Sequence, residues 1–356
     1  MAYCVHGSQT ANLHTSVFRG SVWRDSGYSC EAVHPRTKES PMNQRQTIPQ
    51  HLRYTINNFN RQFPDDAACL EHLMQQRFPG NVTYCDKCQQ ERKHYRISGR
   101  PVYSCDHCGT QISPMAGTIF EHSSTSLRLW YYAMYLMAST RCGISAKQIQ
   151  RETGVTYKTA WRMFRQIRSL LCEPDMQLEG SAVEMDETYY GGTRKGKHGR
   201  PLRGDKKKSP VIGIVERSTK KRIGRVKALA TPDVTAERVL GIVHEHILPK
   251  STVFTDEYRI YDRLGGRVKE HKRINHTSKV YVMGDVHTNT IEGFWSLVKR
   301  GIGGVYHQVS QKYLQSYLDE YSFRYNRRDQ GNLIFTSFLK RASVSWLRCP
   351  PQEIVE

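Results

Sequence analysis

Two cysteine pairs, Cys85-x-x-Cys88 and Cys105-x-x-Cys108, stand sixteen residues apart, and no other feature constrains the local folding of this chain so tightly. Each pair sets two thiols on one tight knuckle, and knuckles separated by about 15 to 20 residues can close on a single ion. Four thiolates complete the tetrahedron of Zn2+ and leave no open position, so one structural zinc is expected. Residues 93–97 and 102–104 read as strands of a hairpin turning at Gly99. Roughly twenty-five residues bury too little surface to fold alone, whereas structural zinc contributes about 10 to 16 kcal/mol in small peptide sites. Cys4, Cys30, Cys69, Cys142, Cys172 and Cys349 lack a partner at ligand spacing and read as ordinary thiols.

The remaining sequence points to an anionic partner. With 53 Lys+Arg against 33 Asp+Glu the formal charge is +20, and 20 Tyr, 11 Phe and 5 Trp exclude a disordered basic tail. Nucleic acid is the first candidate and anionic membrane the second, because polyphosphate rewards distributed Lys and Arg through counterion release. The most apolar run, residues 129–138, is far shorter than the ~20 residues that span a bilayer, and the N-terminus lacks a signal-peptide apolar block. A soluble, unsecreted chain with reduced cysteines is expected.

A length of 356 residues allows two or three domains. Residues 1–41 lack periodicity and read as a disordered leader or a mis-assigned start, with Met42 as the true first residue. Residues 55–122 read as a helical lead-in and zinc ribbon, 125–175 as a helix-turn-helix, 180–330 as a mixed α/β domain, and 331–356 as a C-terminal tail. In the second of these, Ser145 opens a short helix, Gly154 sits in a turn, and Thr156 is an N-cap candidate for a second helix. Ile149, Val155, Ala160 and Phe164 can form the core between the two helices, leaving Tyr157, Lys158, Arg162 and Arg165 outward for DNA.

In the third region, Asp186 lies in the β-like run 182–190, Asp256 ends the apolar run 252–256, and Glu292 opens a helix behind the capping residues 288–290. Carboxylates gathered from strand ends and a helix start repel by about 4 kcal/mol per pair at 4 Å and an effective dielectric near 20, so such a patch calls for divalent cations. Two Mg2+ or Mn2+ ions held this way suit phosphodiester displacement. Between the first two acids, residues 194–227 hold fourteen Lys/Arg against Asp205 and Glu216. Gly191 and Gly192 just before this run and Gly196, Gly199 and Gly204 within it make its first part a flexible loop, and Lys206, Lys207 and Lys208 are its densest charge, suited to holding a DNA backbone.

Several of these motifs occur together in one family. The Cys85/Cys88/Cys105/Cys108 ribbon, residues 143–150, Thr159-Ala-Trp161-Arg-Met, Glu184-Met-Asp186-Glu-Thr-Tyr-Tyr-Gly-Gly192, Thr255-Asp256, residues 287–301, Tyr306-His307 and residues 323–328 all carry the resemblance. The chain resembles the Merlin-related bacterial insertion-sequence transposases, which join a zinc ribbon to an RNase H-like DDE domain, and the likeness extends over roughly residues 55–330. The thirty-five residues between Asp256 and Glu292 are similar to DD35E spacing, and Lys299 lies seven residues beyond the glutamate on the same helical face.

The resemblance implies a multidomain α+β and α/β protein and a DNA transposase that binds the terminal inverted repeats of its element. It implies Asp186, Asp256 and Glu292 as ligands of two Mg2+ ions, Lys299 beside a phosphate or terminal base, and strand cleavage followed by 3'-OH strand transfer. It also implies double-stranded DNA partners (element ends and target), a homodimer or larger assembly on DNA, no membrane, and a bacterial cytoplasmic, nucleoid-associated location. Rival readings stay open: a zinc-ribbon and helix-turn-helix regulator with inert carboxylates, a nuclease without strand transfer, and an inactive domesticated transposase.

Overall fold

A computed structural model describes residues 49–140, 142–191, 208–220, 222–274 and 287–344. The leader and the Met42 start lie outside the described residues, as do Lys206 and Lys207.

The described chain opens with α1 (Ile56–Gln62), started by a reciprocal cap between Thr55 and Asn58, and α2 (Asp66–Arg77), capped by the Asp65 carboxylate. A four-stranded antiparallel ribbon follows, in the order β1 (Val82–Cys85), β2 (Gln90–Arg96), β3 (Tyr103–Cys105) and β4 (Gln111–Ile112). Helices α3 (Leu127–Ser139), α4 (Ala146–Thr153) and α5 (Tyr157–Ser169) then pack with α1 and α2 around Phe59, Phe63, Trp130, Met134 and Phe164.

From Ala182 the apolar pattern becomes strand-like. The strands are β5 (Ala182–Tyr190), β6 (Ser209–Glu216), β7 (Val226–Ala230), β8 (Thr252–Thr255) and β9 (Glu270–Arg273). Their spatial order is β7-β6-β5-β8-β9; β6 runs antiparallel to both neighbours, while β8 and β9 continue parallel to β5. Side-chain alternation gives this sheet two apolar faces. Val183, Met185, Ile212 and Ile214 pack on α6 (Ala236–His246) and the short turn 259–264, and Val211, Val215, Val226 and Ala228 pack on α7 (Asn289–Gly301) and α8 (Gln311–Asn326).

Helix α8 belongs to two cores. Leu318 and Tyr321 face the sheet, whereas Tyr317 and Phe323 join the N-terminal helices. Between these faces lies a buried ion cluster: Arg168 of α5 donates to Glu320 at 2.8 Å, and Arg324 donates to Glu320 at 2.8 Å and to the Thr140 carbonyl at 2.7 Å. The Arg168 guanidinium sits between the rings of Phe164 and Tyr317, 3.6 and 3.3 Å from their centroids.

Two features differ from the sequence reading. The expected tail from residue 331 contains α9 (Ile334–Ala342), whose Phe335, Phe338 and Leu339 pack into the N-terminal core. Apolar residues at 334, 335, 338, 339 and 342 form one helical stripe, a spacing that a reading confined to composition passes over. Strand β9 carries the sequence Glu-His-Lys-Arg, and among the described strands it pairs with β8 alone, so its edge position tolerates charge.

Candidate metal centres and catalytic site

The ribbon cysteines converge as their spacing requires. The four Sγ atoms all lie within 4.8 Å of one another, with Cys85 to Cys108 at 3.4 Å and Cys88 to Cys105 at 3.9 Å. Zn–S bonds of about 2.3 Å in a tetrahedron give S···S separations of about 3.8 Å, so the group fits zinc. Hydrogen bonding by Thr110 draws the Cys108 thiol down to about 6, while hydrogen bonding with Cys108 pushes the Cys88 thiol up to about 12; a bound ion would hold both as thiolates.

Helices α4 and α5 enclose a turn in which Gly154 adopts a left-handed conformation (φ 71°) and Thr156 caps α5 through the Thr159 amide. Ile149, Ala160 and Phe164 are buried and Val155 is half-buried between the helices. Tyr157, Lys158, Arg162 and Arg165 are exposed. Two of these cations rest on the helical core: Arg162 donates to the Ser123 hydroxyl at 3.0 Å and lies over Trp130, and Arg165 lies over Tyr313. Tyr157 and Lys158 stand at the start of α5, with the Lys147 ammonium over the Tyr157 ring.

The acidic site forms where β5 outruns its parallel neighbour. Pairing between β5 and β8 ends at Glu184–Phe254. Asp256 follows the end of β8 and folds back so that its carboxylate accepts the Tyr258 amide at 3.0 Å. Carboxylate oxygens of Asp186, Glu187 and Asp256 thereby lie within 4.8 Å of one another. Burial, and then the charges of Glu187 and Asp256, push the Asp186 carboxyl up to about 7. The Trp295 indole N–H donates to Asp186 at 3.0 Å, and the buried Tyr261 hydroxyl donates to Glu187 at 2.8 Å. Crowded hard oxygen donors of this kind fit Mg2+ or Mn2+.

Glu292 lies outside the 4.8 Å group, and its carboxylate accepts the Thr288 hydroxyl at 3.0 Å. It is exposed on α7 one turn before Trp295, the residue bound to Asp186, and shares its exposed face with Ser296 and Lys299. The strand and helix residues closest to one another at β6 explain this approach. A Cβ at Gly213 would overlap the Trp295 ring, so glycine there lets the indole lie against the sheet opposite Asp186. Lys208, half-buried, immediately precedes β6.

The sequence reading did not single out Glu187, because strict strand alternation sends it to the face opposite Asp186; in the structure its carboxylate nonetheless lies within 4.8 Å of those of Asp186 and Asp256. Glu184 was equally silent as a functional residue. Its carboxylate is fully buried and accepts the amides of Thr290 and Ile291 at 2.8 and 3.0 Å, and the Arg217 guanidinium at 2.7 Å.

Residues 64–111 match the transposase zinc-ribbon domain, and residues 177–326 match the ISXO2-like transposase domain. The uncharacterized protein of the transposable element ISH50 from Halobacterium salinarum is 31% identical over 279 residues, covering 74% of this chain and 91% of that protein. An uncharacterized transposase-like protein from Haemophilus influenzae is 30% identical over 105 residues, which are 30% of this chain and 84% of its own length. No described helix is long and apolar enough to cross a membrane. The zinc-ribbon match precedes the transposase-domain match along this chain, and the chain belongs to the IS1595-type insertion-sequence transposases.

Proposed function

We propose that this chain is the DDE transposase of its own element, cutting at terminal inverted repeats and joining the freed 3'-hydroxyl to target DNA. The observation that carries this reading is the approach of Asp186 and Asp256 just beyond the point where the parallel pairing of β5 and β8 ends, beside the helix that bears Glu292. The strand order β7-β6-β5-β8-β9, with β6 alone reversed, supports an RNase H-like catalytic domain.

Asp186, Asp256 and Glu292 are the proposed ligands of two Mg2+ or Mn2+ ions, with Glu187 as a neighbouring carboxylate. When bound, such ions promote attack by an oxygen nucleophile and departure of the leaving oxygen in an in-line phosphodiester displacement. Trp295 orients the Asp186 carboxylate through its indole N–H, and the Asp256 carboxylate is oriented by the Tyr258 amide. Lys299, two turns beyond Glu292 on the same exposed face, holds a phosphate oxygen or a terminal base. Element ends are bound by the ribbon and by the α4–α5 pair as a helix-turn-helix, with Tyr157 and Lys158 at the start of α5 entering the groove ahead of Arg162 and Arg165. Lys206, Lys207 and Lys208 neutralise phosphates, and two copies act together on paired ends.

The test is incubation with Mg2+ or Mn2+ and DNA carrying the repeats that flank the gene, comparing wild type with Asp256→Asn. Joined products from wild type alone are expected. Nicks without joining would reduce the proposal to a nuclease, and intact DNA bound by metal-loaded protein would leave a DNA-binding regulator.

A further inference from the structure

We infer that Glu184 is a positioning residue for the transposition reaction: it sets the first turn of α7 so that Glu292 reaches the site formed by Asp186 and Asp256. This inference rests on the reading of Glu292 as the third ligand.

The geometry begins with a capping defect. Thr288 occupies the N-cap position of α7 but makes no side-chain capping bond; its hydroxyl is turned to Glu292 instead. The orphan amides at a helix start need acceptors when buried. Glu184 supplies them from the sheet, accepting from the Thr290 and Ile291 amides and from the Thr290 hydroxyl at 2.8 Å. Its negative charge also lies at the positive end of the α7 dipole.

The same carboxylate is tied to both catalytic strands. On β5, Glu184 precedes Asp186 by two residues, so alternation puts both on the α7 face. Arg217, bonded to Glu184 at 2.7 Å, lies 3.9 Å from the centroid of Phe254, two residues before Asp256, and also donates to the His287 carbonyl just ahead of α7. One ion pair, its carboxylate buried and its guanidinium half-buried, therefore touches all three segments that carry the proposed ligands. A second anchor, Trp295 to Asp186, fixes α7 one turn beyond Glu292. Glu292 is thus held between two pins, and removing the first leaves the helix free to tilt about the second.

A glutamine at 184 cannot replace this function. One oxygen meets Arg217, the Thr290 hydroxyl and His287 Nδ1 while the other serves the two backbone amides, so the amide NH2 of glutamine must give up either the Arg217 guanidinium or both backbone amides. The experiment measures Mn2+ binding to the full-length, zinc-loaded protein by electron paramagnetic resonance of free Mn2+. Unfolding temperature is followed in parallel for wild type, Glu184→Gln, Thr290→Ala, Glu292→Gln and the double variant Glu184→Gln/Glu292→Gln.

Outer-shell partners of ligands typically contribute about 10- to 100-fold to metal affinity, so Glu184→Gln should weaken Mn2+ binding about 10-fold, and Thr290→Ala should weaken it to a smaller extent. The double variant should bind Mn2+ no more weakly than Glu292→Gln alone, because Glu184 acts through Glu292. Fully additive losses would overturn the inference, as would unchanged affinity in both Glu184→Gln and Thr290→Ala while Glu292→Gln binds poorly. Should Glu184→Gln fail to fold, unchanged affinity in Thr290→Ala overturns it by itself. If Glu292→Gln binds Mn2+ like wild type, the third-ligand reading has failed and the positioning inference falls with it.

Discussion

Asp186 offers a quantitative test of the carboxylate cluster that is independent of DNA. In the folded protein its carboxyl is pushed from 3.8 to about 7, first by burial and then by Glu187 and Asp256. The folded state therefore holds this proton more tightly than the unfolded chain, and stability is lost as pH rises from about 4 to about 7. At 1.36 kcal/mol per unit, the ionised group costs about 4 kcal/mol at pH 8 and about 1.5 kcal/mol at pH 5. Asparagine removes the charge while keeping an oxygen for the Trp295 indole. In zinc-loaded protein with no other divalent ion, Asp186→Asn should exceed wild type in stability at both pH values, with the gap widening toward pH 8. Urea unfolding at pH 5 and pH 8 measures it. Added Mg2+ at pH 8 should stabilise wild type and leave the variant largely unaffected. A gap that stays constant between the two pH values, or a variant less stable than wild type at pH 8, would refute the reasoning.

Other consequences can be checked separately. Cys88→Ala should lower zinc from one ion per chain toward none and expose the amides of β1 to β4 to exchange, as read by metal analysis and hydrogen exchange. Glu320→Ala, which leaves Arg168 and Arg324 buried without their shared carboxylate, should cost about 3 to 5 kcal/mol in urea unfolding. Gly213→Ala should push the Trp295 ring off the sheet and quench or shift its fluorescence while strand transfer falls. Lys158→Ala should weaken binding to the element ends and lower the dependence of affinity on salt by about one phosphate contact.

How much of this was legible depended on whether the relevant chemistry is local. The CxxC pairs declare their ligand geometry within a few bonds, β6 is read from a near-continuous apolar run because both of its faces are covered, and β5 is read from its alternating apolar positions. The helical pair announces itself through Gly154 and Thr156, each of which has a local conformational reason to be there. Strand β9 escaped because an edge position excuses the charges of residues 270–273, and α9 escaped because it docks on helices some two hundred residues earlier in sequence. Glu184 reads as an ordinary acid in an alternating strand until α7 is packed over it. Its importance is a property of tertiary structure, as is the meeting of Asp186 with Glu187.

The sharing of α8 between two cores bears on how DNA can be measured by this protein. Inserting one residue between Leu318 and Phe323 would turn the downstream part of the helix by about 100°, so that one of the two cores would lose its apolar face. The helix therefore works as a fixed spacer whose length and phase cannot drift. If α5 grips a repeat while Asp186 and Asp256 receive the scissile bond, the number of base pairs between recognition and cleavage is written into the protein's framework. Under the proposed function, an element would tolerate changes of base identity in that interval far better than a change in its length.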